Sequence, residues 1–192
     1  MKLYRDMDEF EMDNSVVAIG TFDGLHIGHA ALIARVKALA QAEGAPALAL
    51  TFDRHPLSEL GALGAPSEIL SREEKRARFE QMGVDGLIEQ PFTPEFAGLS
   101  PEEFADRLAG ALRPRVAVVG YNFRFGRGGA GDARALSAMG ERLGFRVDVV
   151  APVCSGGEPV SSTRIRALLA GGDRAAAERL LGHPIGISPQ ST

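Results

Sequence analysis

An α/β fold built on a doubly wound parallel sheet is what this sequence predicts, and three observations carry the prediction. Short apolar runs alternate five times with longer segments of helical period. One of the runs, ALALTF at 47–52, is continuously apolar, as a strand buried on both faces of a parallel sheet must be. Glycines cluster at 20–28 and 120–131, directly after two of the runs, where such a fold turns from strand towards helix.

The elements follow in order. SVVAIG at 15–20 reads as the first strand. A helix starts near His26, with Leu32, Val36 and Leu39 at helical spacing and Gly44 to end it. After the strand at 47–52, the Pro- and Gly-rich segment 53–70 is a long loop. Ser71 and Glu74 form a capping box that opens a helix ending at Gly83, and a short strand follows at 86–89. The charge run REEKRAR in that helix reads as a solvated face with i,i+4 pairs. Ser100, Pro101 and Glu103 repeat the start pattern for a helix at 101–112, ahead of the buried strand RVAVVG at 115–120. A helix from Asp132 to Leu143 stops at Gly144, and RVDVV at 146–150 is the last strand. Two short helices close the fold, divided at Gly171 and Gly172, the second capped by Asp173. Residues 1–185 are expected to form one domain including a helical segment at 162–182, with 186–192 as a tail.

Composition narrows the function classes. Hydrophobic residues at 45% and charged residues at 24% describe a globular chain. A net charge of −4 gives no broad basic surface for wrapping nucleic acid, so any phosphate recognition must be local. No apolar run approaches the ~18 residues of a membrane span, and the acidic start MKLYRDMDEFEMD lacks the pattern of a secretory signal. A single cysteine, Cys154, fits a reducing, cytoplasmic setting and reads as a small, partly buried hydrophobe.

Ligands of doubly wound sheets bind at the C-terminal ends of the strands. That rule gathers Gly20–His29, Thr51–Pro56, Gly120–Gly131 and Val160–Arg166 into one expected site. In GTFDGLHIGH, glycines precede a helix start whose free N–H groups favour an anion, and His26 and His29, at i and i+3, can hold one phosphate group between them. In SSTRIR, hydroxyls and guanidinium groups at a second helix start form a cradle for a multiply charged phosphate. In GYNFRFGRGGAG, Phe123 and Phe125 offer one ring to the core and one to a pocket, where it stacks on a planar ring. Asp53 in TFDRHP is an ordinary strand-ending aspartate. With His55 and His183 far off in sequence, the histidines do not spell a zinc site.

GTFDGLHIGH resembles the H-x-G-H signature of the nucleotidyltransferase superfamily, and SSTRIR its second signature. Together with TFDRHP, PFTPEFAGLSPEEF and VVGYNFRFG, in that order and over residues 14–185, they resemble the adenylyltransferase half of the prokaryotic bifunctional riboflavin kinase/FAD synthetase family. The resemblance implies a Rossmann-like nucleotidyltransferase fold and the conversion of ATP and FMN into FAD and pyrophosphate with Mg2+. It implies that His26 and His29 stabilise the α-phosphate in transfer, and that Ser161, Ser162, Thr163 and Arg164 hold the β- and γ-phosphates. Asn122 would help place the phosphates or Mg2+, Gly20, Phe22 and Gly24 would bound the adenine and ribose, and Phe52, Pro56 and Phe125 would form a flavin-side wall. Some relatives carry Asp where Asn122 stands, so no protein ligand is assigned to Mg2+, which the substrate phosphates would mainly hold. Bifunctional relatives continue into a β-barrel kinase after the point matched by LLGHPI, and GISPQST cannot form one, so no riboflavin phosphorylation is expected of these residues. A cytidylyltransferase of the same fold and a flavin- or nucleotide-binding module without turnover are the alternatives.

Overall fold

The computed structural model describes residues 1–53 and 67–186. Six parallel strands make the central sheet in the spatial order β1 (Lys2–Tyr4), β4 (Gly86–Gln90), β3 (Ala47–Phe52), β2 (Ser15–Ile19), β5 (Pro114–Gly120) and β8 (Arg146–Val150). From β2 the chain steps outward through β3 to β4, then crosses to the far side of β2 for β5 and β8. The winding direction therefore reverses between β2 and β5, and a crevice opens at the C-terminal ends of such a pair. Ala18 pairs with Val118, which carries Gly20 and Gly120 to the same end of adjacent strands.

Alternation along the strands splits the core into two layers. Val16 and Ala18 of β2, with Val116 and Val118 of β5, pack under α1 (Ile27–Glu43) and α2 (Arg72–Met82). Val17 and Ile19, with Ala117 and Val119, face the other way, towards α4 (Pro101–Leu112) and α5 (Ala133–Leu143). The expected caps are in place. Ser71 with Glu74 and Ser100 with Glu103 both close capping boxes, and Gly44, Gly83 and Gly144 end their helices in the left-handed conformation. A single turn, α3 (Pro94–Ala97), follows β4. The last pair, α6 (Ser162–Ala170) and α7 (Arg174–Leu181), carries a small core of Val160, Ile165, Ala177, Leu180 and Leu181 that packs against Ile27 and Ile69.

Several elements differ from the sequence reading. Strand β1 is additional: three residues are too few to show a period, and it is fixed by parallel pairing of Lys2 with Gly86 and Tyr4 with Ile88. Gly86 makes room for it, since a Cβ there would lie 3.0 Å from the Tyr4 ring and 2.7 Å from Leu48. Two-residue hairpins also appear, β6 (Arg124–Phe125) with β7 (Gly131–Asp132) and β9 (Cys154–Ser155) with β10 (Glu158–Pro159). Cys154 sits on the second of these and is exposed, not partly buried, because the hairpin projects from the core. REEKRAR is no simple solvated face: Arg72 and Arg76 both reach the buried carboxylate of Glu89 in β4, at 2.7 and 2.6 Å, and Lys75 is buried. Phe123 and Phe125 do not take opposite faces, although Phe125 is buried and Phe123 only partly so. Residues two apart in an extended segment share a face, and the rings stack with centroids 5.5 Å apart.

Candidate active site

The turn between β2 and α1 is built from backbone conformations that need support. Phe22, Gly24 and Leu25 have φ of 50°, 79° and 42°. For the two non-glycine residues this costs about 1–3 kcal/mol each, held in place by complete burial of the Phe22 and Leu25 side chains. At Gly24 the left-handed backbone and close packing coincide, because a Cβ would sit 3.1 Å from Ile69 and from Leu181. The turn delivers His26 to the N-cap of α1, where its Nδ1 accepts the His29 backbone N–H at 3.3 Å. A neutral imidazole that accepts at Nδ1 carries its proton on Nε2 and so presents a donor there.

His26 and His29 do come together. Their rings stack with centroids 3.7 Å apart and planes 13° from parallel. Burial lowers the His26 pKa to about 4, against the opposing pull of Asp23. Burial also holds His29 well below the usual imidazole range, reinforced by His26 and by Lys75. Both shifts favour neutral rings at pH 7. The Nδ1 of His29 is buried with no hydrogen-bond partner among the described residues. Phe22 lies 5.2 Å from the His29 ring and 5.3 Å from Phe79, so its ring backs the imidazole from within the core.

The start of α6 docks on the same turn. The Ser162 hydroxyl donates to the Asp23 carbonyl at 2.8 Å, and Arg166 forms an ion pair with the buried Asp23 carboxylate. Asp23 also accepts the Ile69 N–H at 2.9 Å, and the His183 ring lies 2.9 Å from the Gly24 carbonyl. Ser161 caps α6 by accepting the Arg164 N–H at 3.2 Å. The Arg164 guanidinium is turned to the β9–β10 hairpin, donating to the carbonyls of Ser155 and Glu158 at 2.9 and 3.2 Å. Thr163 is exposed.

At the end of β5, Asn122 is exposed and its Oδ1 lies over Gly120, 3.4 Å from where a Cβ would stand. The other layer contributes phenylalanines. Six of the ten form a continuous series: Phe92, Phe52, Phe96, Phe104, Phe125 and Phe123, with successive centroids 4.9, 5.8, 6.1, 5.2 and 5.5 Å apart. Phe52 is partly exposed within it, whereas Phe125 is buried. Pro56 lies outside the described residues. Asp53 ties β3 to the residues after β4, accepting the Phe92 N–H at 3.2 Å. The sequence reading missed the pairing of Asp23 with Arg166. Each member of that pair stands in one of the two motifs, and their opposite charges were the available signal.

Glycine turn, helix start and imidazole pair at the β2/β5 reversal define a protein of nucleotidyltransferase-like α/β fold. A solved pantoate–β-alanine ligase from Francisella tularensis shares that fold with a TM-score of 0.52 at 12% identity, over 88% of this chain and 79% of its own. The chain belongs to the FAD synthetase family, whose model matches residues 8–164. The bifunctional riboflavin kinase/FMN adenylyltransferase of Escherichia coli K12 is 35% identical over 98% of this chain. That of Bacillus subtilis is 33% identical over 91%. The chain spans 61% and 55% of the lengths of these two relatives. A crystal structure described as a macrolide-efflux protein from Streptococcus pneumoniae is similar with a TM-score of 0.82 and 27% identity, over 95% of this chain and 60% of that one. Among the described residues of the present chain, no helix is long and apolar enough to cross a membrane.

Proposed function

We propose that this chain is an FMN adenylyltransferase, an FAD synthetase that converts ATP and FMN into FAD and pyrophosphate, with residues 1–185 as the catalytic unit. The observation that carries the reading is the stacked, neutral His26–His29 pair at the start of α1, beside the β2/β5 crevice of a chain in the FAD synthetase family.

A phosphate oxygen of FMN attacks the α-phosphorus of ATP. The new P–O bond forms as the bond to the β-phosphate oxygen breaks, and pyrophosphate leaves with that electron pair. No protein nucleophile is required, so the chain acts by positioning and by stabilising charge. The Nε2–H of His26 and the ring of His29 donate to the α-phosphate oxygens, where negative charge builds in transfer. The hydroxyl of Thr163 and the N–H groups at the start of α6, with Ser161 and Ser162 shaping the turn, receive the β- and γ-phosphates. Asn122 directs its amide to the same region, and Arg164 acts through the hairpin that it anchors. Gly20 and Gly24 keep the adenosine side open, with Phe22 behind them. Phe52 and Pro56 flank the flavin, with Phe125 as the support of that wall. Among the described residues no three His, Cys, Asp or Glu side chains gather to hold a metal ion. Mg2+ would enter with ATP, held mainly by the substrate phosphates.

The test is incubation of the purified chain with FMN, ATP and Mg2+, followed by chromatography. FAD and pyrophosphate in equal amounts are expected. A preference for CTP and another phosphate acceptor would make it a cytidylyltransferase, and tight flavin binding without product would make it a binding module.

A further inference from the structure

We propose that His183 is a positioning residue for the strained turn that carries His26: as an imidazolium it bridges the carbonyls of Gly24 and Pro184 and clasps the C-terminal helices onto that turn. The ring lies across the two oxygens, with Nε2 2.9 Å from the Gly24 carbonyl and Nδ1 2.9 Å from that of Pro184. A carbonyl oxygen only accepts, so each contact asks the ring for an N–H. Neutral imidazole has one, and imidazolium has two. The clasp is therefore complete only when the ring is charged, and loss of its proton sets a ring lone pair against one of the carbonyls.

The place of the clasp gives it leverage. Gly24 and Leu25 have φ of 79° and 42°, and His26 follows as the N-cap of α1. Donors from the C-terminal segment take two consecutive carbonyls of this turn, the Ser162 hydroxyl that of Asp23 and His183 that of Gly24. Gly182 brings the ring there. It ends α7 with φ of 75°, and a Cβ on it would lie 2.7 Å from Ile27, the residue after His26. Charged groups lie around the clasp on three elements. Glu178 of α7, on which His183 acts, accepts the Ile185 N–H at 3.0 Å and the Arg174 guanidinium at 3.1 Å. From α2, Arg78 donates to the Pro184 carbonyl at 3.1 Å, with Glu74 bearing on it. That oxygen has a second lone pair for His183. In the turn, Asp23 is paired with Arg166. Glu178 favours the charged ring, Arg78 opposes it, and the two carbonyl acceptors add to the side of Glu178.

The decisive experiment is NMR of uniformly nitrogen-15-labelled protein without substrate, with the His183 ring signals identified by their loss in His183→Arg. At about pH 5.5 both ring nitrogens of His183 should carry protons. As pH is raised until the ring loses one, the Leu25 amide resonance should move with the same midpoint, while His26 titrates below this range. In His183→Arg, which keeps a charge and more than one donor, the Leu25 resonance should stay still over the same range. A single ring proton at the acid end, a Leu25 resonance that ignores the His183 titration, or one that still titrates in His183→Arg would overturn the proposal. A kinetic arm rests on the FMN adenylyltransferase reading: His183→Leu should lower kcat about ten- to a hundredfold, and His183→Arg should restore it. No loss in folded His183→Leu, or an equal loss in both variants, would overturn the positioning role. The wild-type titration and His183→Arg decide even if His183→Leu does not fold. If the wild type forms no FAD, the functional reading fails while the NMR result still decides the clasp.

Discussion

Two helix starts face the same crevice, and they use similar residues to different ends. At the start of α1, the His26 and His29 rings are stacked, and a buried ring nitrogen has no hydrogen-bond partner among the described residues. At the start of α6, the polar groups are largely engaged: Ser161 caps, Ser162 binds the Asp23 carbonyl, Arg164 binds the hairpin, and Arg166 pairs with Asp23. On the proposed function, that unspent hydrogen-bonding capacity makes the first the chemical centre. Satisfied capacity marks the second as the brace that holds the strained turn in shape, leaving Thr163 and backbone N–H groups for a ligand.

Four variants or conditions test that difference. The largest effect is expected from His29→Ala, which should lower FAD formation roughly 10²- to 10³-fold while circular dichroism and melting remain native. Unchanged turnover would reduce the pair to a helix cap. Next, Arg166→Met strands the buried Asp23 carboxylate and should cost about 3 kcal/mol in urea unfolding. If stability were unaffected while turnover collapsed, the brace would be the chemical centre instead.

Acid should weaken the α1 start by a smaller amount. His26 binds a proton at about pH 4 when folded and near 6.5 when unfolded, so in that window the unfolded chain holds more protons. Stability is therefore complete above pH 6.5 and falls as pH drops towards 4, by about 1–3 kcal/mol in total. Urea midpoints at pH 7 and pH 5 measure it. His26→Asn, which keeps a capping side chain, should make the fall shallower, with the remainder coming from His29, which burial shifts in the same direction, and an equally steep fall in that variant would assign the His26 share elsewhere. Smallest is Ser161→Ala, expected to cost about 1 kcal/mol of stability and to leave turnover within about tenfold of wild type.

Local chemistry made much of the fold legible. Capping boxes at Ser71–Glu74 and Ser100–Glu103, and the apolar run at 47–52, need only neighbours in sequence to declare themselves. Strand β1 needs a partner more than eighty residues away, pairing Lys2 with Gly86, and has no period of its own. Separation along the chain, shorter or longer, hid the electrostatics as well. Arg72 and Arg76 look solvated until β4 brings Glu89 beneath them, and Arg166 looks free until α6 folds back over Asp23. In the site, the meeting of His26 with His29 followed from their spacing, whereas their neutrality did not. It arises from burial under Phe22 and the turn, and for His29 also from His26 and then Lys75.

That neutrality is the central claim, and a pH titration of the His26 and His29 ring nitrogens in the wild-type protein tests it most directly. Both rings should stay uncharged from pH 8 down to about pH 5.5, with His26 bearing its proton on Nε2. Titration of either ring near pH 6.5 would show a cationic pair and contradict the account.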